Sequence, residues 1–113
     1  MEEPQSAQLE AVLARIKSQA AAGAFRVTQH AQQEMVEEDI SLDEVLAALQ
    51  RGEVVEHYPE HRRGACSLVS GETDSGRAVH IVCATAHPLL VLITVYEPKP
   101  PKWMTPRQRR PRA

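Results

Sequence analysis

The stretch ISLDEVLAALQRGEVVEHY, residues 40–58, changes period in its middle, and that change decides the fold class. Ser41 and Glu44 make the S-x-x-E pattern of a capping box, with Ile40 before the cap and Val45 placed to close a hydrophobic staple. Leu42, Val45, Leu46 and Leu49 then recur at helical spacing and predict a buried stripe, and Gly52 predicts its stop. Beyond Gly52 the pattern turns strand-like: Val54-Val55-Glu56-His57-Tyr58 reads as a strand ended by Pro59.

Toward the N-terminus, Leu9, Val12, Leu13 and Ile16 share one face of a helix predicted over residues 6–22 and stopped by Gly23. Phe25-Arg26-Val27 is a short extended piece, and Thr28 caps a second helix carrying His30, Ala31, Met35 and Val36. Toward the C-terminus, strands are predicted over residues 66–70, 77–84 and 90–96, separated by the turn Thr73-Asp74-Ser75-Gly76 and by His87-Pro88. The reading is therefore α+β: N-terminal helices packed on one face of a four-stranded antiparallel sheet whose other face is open.

A chain of 113 residues allows one hydrophobic core, and with 4% aromatic residues that core must be mainly aliphatic. Three segments are expected: an amphipathic helix over 1–24, the α+β body over 25–98, and a Pro/Arg-rich tail over 99–113. The tail is too rich in proline and arginine to build a packed element alone; Trp103 is expected to fold back, with residues 107–113 mobile. No apolar run is long enough to cross a bilayer, and Met1-Glu2-Glu3-Pro4 lacks the basic start of a signal peptide, so a cytoplasmic protein is expected.

The formal net charge of −2 hides a division: residues 1–60 hold 12 acids and 4 Lys/Arg, whereas residues 61–113 hold 3 acids and 9 Lys/Arg. A basic second half suits a polyanion, and acidic helices suit a basic partner or repel a polyanion. Cys66 and Cys83 fall on different predicted strands without C-x-x-C spacing and read as small buried hydrophobes. His57 and His61 have helical metal spacing, but Pro59 between them argues against the helix that would align them. Neither a nucleophile elbow nor a glycine-rich phosphate loop is present, so no metal and no cofactor is predicted.

Strand parity supplies the candidate chemistry. Val79, Ile81 and Cys83 share one side of their strand, leaving Ala78, His80, Val82 and Ala84 on the other. On the last strand the same alternation sets Val91, Ile93 and Val95 beneath the helices and leaves Leu92, Thr94 and Tyr96 outward. His80, Thr94 and Tyr96 are thus expected together on the uncovered face. Imidazole moves a proton near neutral pH, a phenol hydrogen-bonds an oxygen, and guanidinium groups clamp a phosphate, a combination suited to phosphodiester cleavage.

His30-Ala31 with Met35, the run Ile40-Ser41-Leu42-Asp43-Glu44-Val45, Gly52-Glu53-Val54, Val79-His80-Ile81-Val82, Ile93-Thr94-Val95-Tyr96-Glu97-Pro98 and Trp103 occur in an order and spacing that resemble a bacterial family, domain of unknown function (DUF) 4258. That family is similar to RelE-like and MqsR-like toxins and to the wider barnase and colicin group of RNases. The resemblance implies a metal-independent endoribonuclease toxin of a type II toxin-antitoxin module. Such an enzyme cleaves mRNA through the substrate's own 2′-hydroxyl and is masked by a cognate antitoxin. His80, His30, Tyr96 and Thr94 match the family's polar positions and are the expected catalytic residues; Arg77, Arg63, Lys102, Arg107 and Arg109 are the expected RNA contacts. One departure stands out: Glu34 and Glu38 occupy positions where the family pattern has arginines, and carboxylates there would repel an RNA backbone. The competing expectation is a catalytically inactive RelE-like module that binds a protein or peptide on the same sheet face or its edge.

Overall fold

In the computed structural model, which describes residues 4–60 and 64–111, the local signals of the sequence are realised as hydrogen bonds. Ser41 Oγ accepts from the Glu44 N–H at 3.1 Å, and Glu44 Oε1 accepts from the Ser41 N–H at 2.9 Å, closing the capping box at the start of the helix Leu42–Arg51. Hydrogen bonding from the Ser41 N–H, and then from its hydroxyl, holds the Glu44 carboxyl below its ordinary range. Ile40 and Val45 both lie in the core, as the staple requires. Leu42 departs from the predicted stripe: it is 40% exposed, and Ala48 takes its place beside Val45 and Leu49.

Three helices, α1 (Pro4–Ala21), α2 (Gln29–Glu38) and α3 (Leu42–Arg51), accompany five strands of one sheet, β1 (Phe25–Val27), β2 (Glu53–Tyr58), β3 (Cys66–Glu72), β4 (Ala78–Ala84) and β5 (Leu90–Tyr96). The strand order is β1-β5-β4-β3-β2. The four predicted strands form the antiparallel meander, but the sheet has five: Phe25-Arg26-Val27 pairs parallel to Leu90-Val91-Leu92 at its edge. Ile16 and Ala20 of α1, Ala31 of α2, and Val45, Ala48 and Leu49 of α3 meet Val69, Val79, Ile81, Cys83, Leu90, Leu92 and Val95 in one core. Gly71 is where α3 approaches β3 most closely, since a Cβ there would lie 1.9 Å from the Ala48 carbonyl oxygen.

Two β-bulges alter the parity read from the sequence. Between β4 and β5, Val82 faces Thr94 while Cys83 faces Leu92, so Ile93 is an extra residue. Leu90, Leu92 and Val95 consequently enter the main core. Val91 and Ile93, predicted beneath the helices, instead join Cys66, Val82 and Ala84 in a second apolar cluster. On β2 the register slips between Val54 and Glu56, which returns Glu56 to the face that carries Glu53 although the two are an odd number of residues apart.

The face opposite the main core is not open. Two short strands, β6 (Trp103–Thr105) and β7 (Gln108–Arg109), pair antiparallel in a small hairpin laid over it. The tail does what proline-rich sequence cannot do alone, because Trp103 is 2% exposed and Arg109 is tied to Glu56. The expectation of mobility from residue 107 onward therefore fails at Arg107 and Arg109; residues 112 and 113 lie outside the described residues.

Candidate functional site

Register alignment builds a polar row across the sheet. Glu53 of β2 faces Ser70 of β3, Ser70 faces His80 of β4, and His80 faces Tyr96 of β5. Directly paired residues present their side chains to the same face, so these four line one transverse strip. The hairpin lies on this strip, and His80 has 0% exposure.

The hydrogen bonds of His80 settle its tautomer. Nε2 lies 2.6 Å from the Pro106 carbonyl oxygen, which only accepts, so Nε2 carries the proton; Nδ1, 3.1 Å from the Tyr96 hydroxyl, therefore accepts from that O–H. The imidazole also stands edge-on to Trp103 with ring centroids 4.4 Å apart, and to Tyr96 at 5.2 Å. Loss of solvation lowers its proton affinity, against smaller opposing effects of the Pro106 carbonyl and the Glu56 carboxylate. Burial likewise raises the Tyr96 phenol. The indole Nε1 of Trp103 influences that phenol yet finds no acceptor in hydrogen-bond geometry.

Beside this centre, Arg109 donates twice to Glu56, at 2.8 and 2.9 Å, and stacks over Trp103 at 4.7 Å. The guanidinium holds the Glu56 carboxyl below its ordinary range, and the carboxylate raises Arg109 in turn. Tyr58 also donates to Glu56; burial, followed by that carboxylate, pushes its phenol up to about 12. Arg107 makes a second, more exposed link to Glu53 at 3.0 Å. Perturbed groups gathered on one face mark a functional candidate on physical grounds.

The expected site residues divide between this centre and other places. His80 and Tyr96 are brought together; Thr94 is half-buried on the same face and faces Val82. The uncovered display expected for them is corrected: the Trp103-anchored hairpin shuts His80 from solvent and leaves Tyr96 and Thr94 half-buried. His30 lies on the exposed first turn of α2 and pairs with Glu34 at 3.3 Å; among the described residues no hydrogen bond or ring contact joins it to His80 or Tyr96.

Among the expected RNA contacts, Arg107 and Arg109 belong to the hairpin, and Lys102 is exposed beside it. Arg77 is a clamp. It bonds Glu97 at 3.1 Å and the C-terminal carbonyls of α2 at Glu38 and Asp39, at 2.5 and 2.7 Å. Arg63 and His61 lie outside the described residues, while His57 bonds Ser67 at 2.8 Å. Cys66 and Cys83 are buried, and burial raises the Cys83 thiol.

Glu34 and Glu38 have an unexpected role. Beyond Leu92, no strand among the described residues pairs with the outer side of β5. Thr28 donates to the Ile93 carbonyl at 3.0 Å, Glu34 accepts from the Val95 N–H at 2.9 Å, and Glu38 accepts from the Glu97 N–H at 3.0 Å. Carboxylates four apart on a helix thus satisfy N–H groups two apart on a strand. Sequence reasoning took these acids as a loss of positive charge; it also passed over Glu56 and Ser70, because strand parity alone does not reveal the β2 bulge.

These observations define a small α+β protein with a covered histidine–tyrosine centre on one sheet face. Residues 27–97 match the family model described as domain of unknown function (DUF4258), and the chain belongs to that family. No match is found among curated proteins or among solved structures. Among the described residues no helix is long and apolar enough to cross a membrane.

Proposed function

We propose that the protein is a metal-independent endoribonuclease of the RelE-like or barnase-like kind, acting on mRNA as the toxin of a toxin-antitoxin pair in the cytoplasm. The observation that carries this reading is the His80–Tyr96 pair at 3.1 Å, set in a polar strip beside Arg109. Depressed proton affinity keeps His80 neutral at pH 7, the state a general base needs. With the hairpin displaced, His80 takes the proton of a ribose 2′-hydroxyl as that oxygen attacks the adjacent phosphorus. The bond to the 5′-oxygen breaks, and the leaving oxygen takes a proton from water while His80 gives its own back to solvent, giving a 2′,3′-cyclic phosphate and a 5′-hydroxyl. Tyr96 orients the phosphate, and Arg107, released from its exposed pair with Glu53, balances its charge. His30 and Thr94 serve substrate contact.

The test is cleavage of an end-labelled RNA in excess EDTA by the full chain, by His80→Ala and by Arg109→Ala. Expected are cyclic-phosphate ends from wild type, faster release from Arg109→Ala as the hairpin loosens, and none from His80→Ala. Absence of cutting by folded wild type and by folded Arg109→Ala overturns the reading.

One observation favours a second reading, a catalytically silent binding module: His80 has 0% exposure and both ring nitrogens are engaged. On that reading the histidine anchors the hairpin, and a partner protein docks elsewhere. The same assay then yields no product from any variant.

A further inference from the structure

A cavity of about 500 Å3 opens between the end of α3, the end of β3 and the hairpin, lined by Arg51, Ser70, Gly71, Glu72, Thr105, Pro106 and Arg107. Ser70 is 7% exposed, yet its hydroxyl has no hydrogen-bond partner among the described residues. That oxygen reaches the cavity surface and is a donor open to a ligand; among the described residues the buried side-chain polar atom without a partner is Trp103 Nε1, not Ser70 Oγ.

Arginines stand at both sides of that hydroxyl. Arg51 gives Nη1 to the Thr73 carbonyl at 3.0 Å and Nη2 to Asp74 at 2.7 Å, which leaves its Nε. Arg107 gives Nε to Glu53 at 3.0 Å, and neither of its terminal nitrogens has a partner among the described residues. Two parallel N–H groups of one guanidinium match two oxygens of a phosphoryl group. Both existing pairs are solvent-exposed, with Asp74 at 82% and Glu53 at 48%, and exposed pairs of this kind hold their arginines weakly. Thr105 adds a second hydroxyl, already accepting from the Arg107 N–H at 3.3 Å. Glu72 is the one carboxylate in the lining, and it opposes an anion.

We propose that this cavity is a binding site for a phosphoryl group, held by Arg107 and Arg51 with the Ser70 hydroxyl donating from below. Ser70 is the direct register neighbour of His80, and Pro106 forms a wall of the cavity while its carbonyl accepts from His80. A phosphate seated here lies next to the histidine–tyrosine centre. If that centre acts on RNA, this is where a flanking phosphate of the same strand sits; only this identification of the owner rests on the ribonuclease reading.

The test is amide chemical-shift titration of the full chain with inorganic phosphate, and separately with a short 2′-deoxy oligothymidylate, which has no 2′-hydroxyl and so binds without self-cleavage. Saturable shifts are expected at Gly71, Thr105 and Arg107. Arg51→Ala and Arg107→Ala each weaken binding by about tenfold or more, the worth of a charge-assisted hydrogen bond. Ser70→Ala weakens it less, Lys17→Ala on α1 leaves it unchanged, and Glu72→Gln tightens it, a gain that no damaged fold would produce. Competition between oligonucleotide and phosphate identifies a strand phosphate; saturation by phosphate alone identifies a free phosphorylated small molecule. No saturable shift with either probe overturns the proposal, as does unchanged binding by both arginine variants. Phosphate binding without RNA cleavage leaves this site standing while the ribonuclease reading falls.

Discussion

His80 is neutral in the folded protein because burial strips it of water and its two nitrogens already have partners suited to the neutral ring. Its proton affinity lies below the ordinary value of 6.5, so on acidification the unfolded chain takes up the proton first. The stability tied to this group is complete above about pH 6.5 and declines as the pH falls toward the lower folded value. The facing groups do not reverse the sign: the Glu56 carboxylate favours the charged ring and Arg109 opposes it, but desolvation outweighs both. Glu56 itself, held low by Arg109, keeps its contribution until the pH falls below the ordinary carboxylate range, a separate window. The urea midpoint of wild type is therefore expected to drop between about pH 7.5 and about pH 5.5. His80→Gln, which keeps a donor and an acceptor, is expected to start lower and lose less; an equal drop in both would assign the pH dependence elsewhere. That His80 and Tyr96 share a face was legible from alternation alone. That the face is shut was not, because closure depends on Trp103 packing against His80, which lies far from it in sequence.

At the scale of elements, the edge of β5 is finished by a helix. Thr28 caps α2 by accepting the Ala31 N–H at 3.1 Å and also donates to Ile93, so α2 starts against the strand it will protect. Glu34 and Glu38 then supply acceptors where an exposed edge would otherwise offer bare N–H groups to another chain. Removing the acceptor from buried Val95 leaves its N–H unpaired, so Glu34→Ala is expected to cost about 1–3 kcal/mol in denaturant unfolding. Glu34→Gln retains a carbonyl acceptor and is expected to cost less than Glu34→Ala. Equal losses in the two variants would mean that the bond to Val95 contributes nothing. Local elements were readable where one local interaction dominates, as in the Ser41–Glu44 capping box and at Gly52. The parallel pairing of β1 was not, since three residues carry no period and their partners on β5 lie across the whole chain. Bulges at Ile93 and between Val54 and Glu56 defeat strict alternation for the same reason, because register is set by both partners.

Across the whole molecule, the two oppositely charged halves of the chain meet at the hairpin. Glu53 and Glu56 from the acidic half reach the same face through the β2 bulge, and Arg107 and Arg109 from the basic half pair with them. Two of the nine Lys/Arg of the basic half are thus paired internally in the closed form. The two links are unequal: the Arg107 pair is exposed and contributes little, whereas the Arg109 pair is bidentate, half-buried and backed by the Trp103 ring. Arg109 is therefore the latch, and the chain's single tryptophan reports on it. In wild type, buried Trp103 is expected to emit at short wavelength and to resist quenching by iodide or acrylamide. Arg109→Ala is expected to shift that emission to the red and increase quenching, while Arg107→Ala changes neither. Glu56→Gln weakens the latch from the other side and falls between wild type and Arg109→Ala. If Arg109→Ala leaves the emission and quenching of a folded protein unchanged, Trp103 and the His80 contact to Pro106 hold the hairpin without the ion pair. Opening would then need a partner able to displace the indole, with charge alone insufficient to release it.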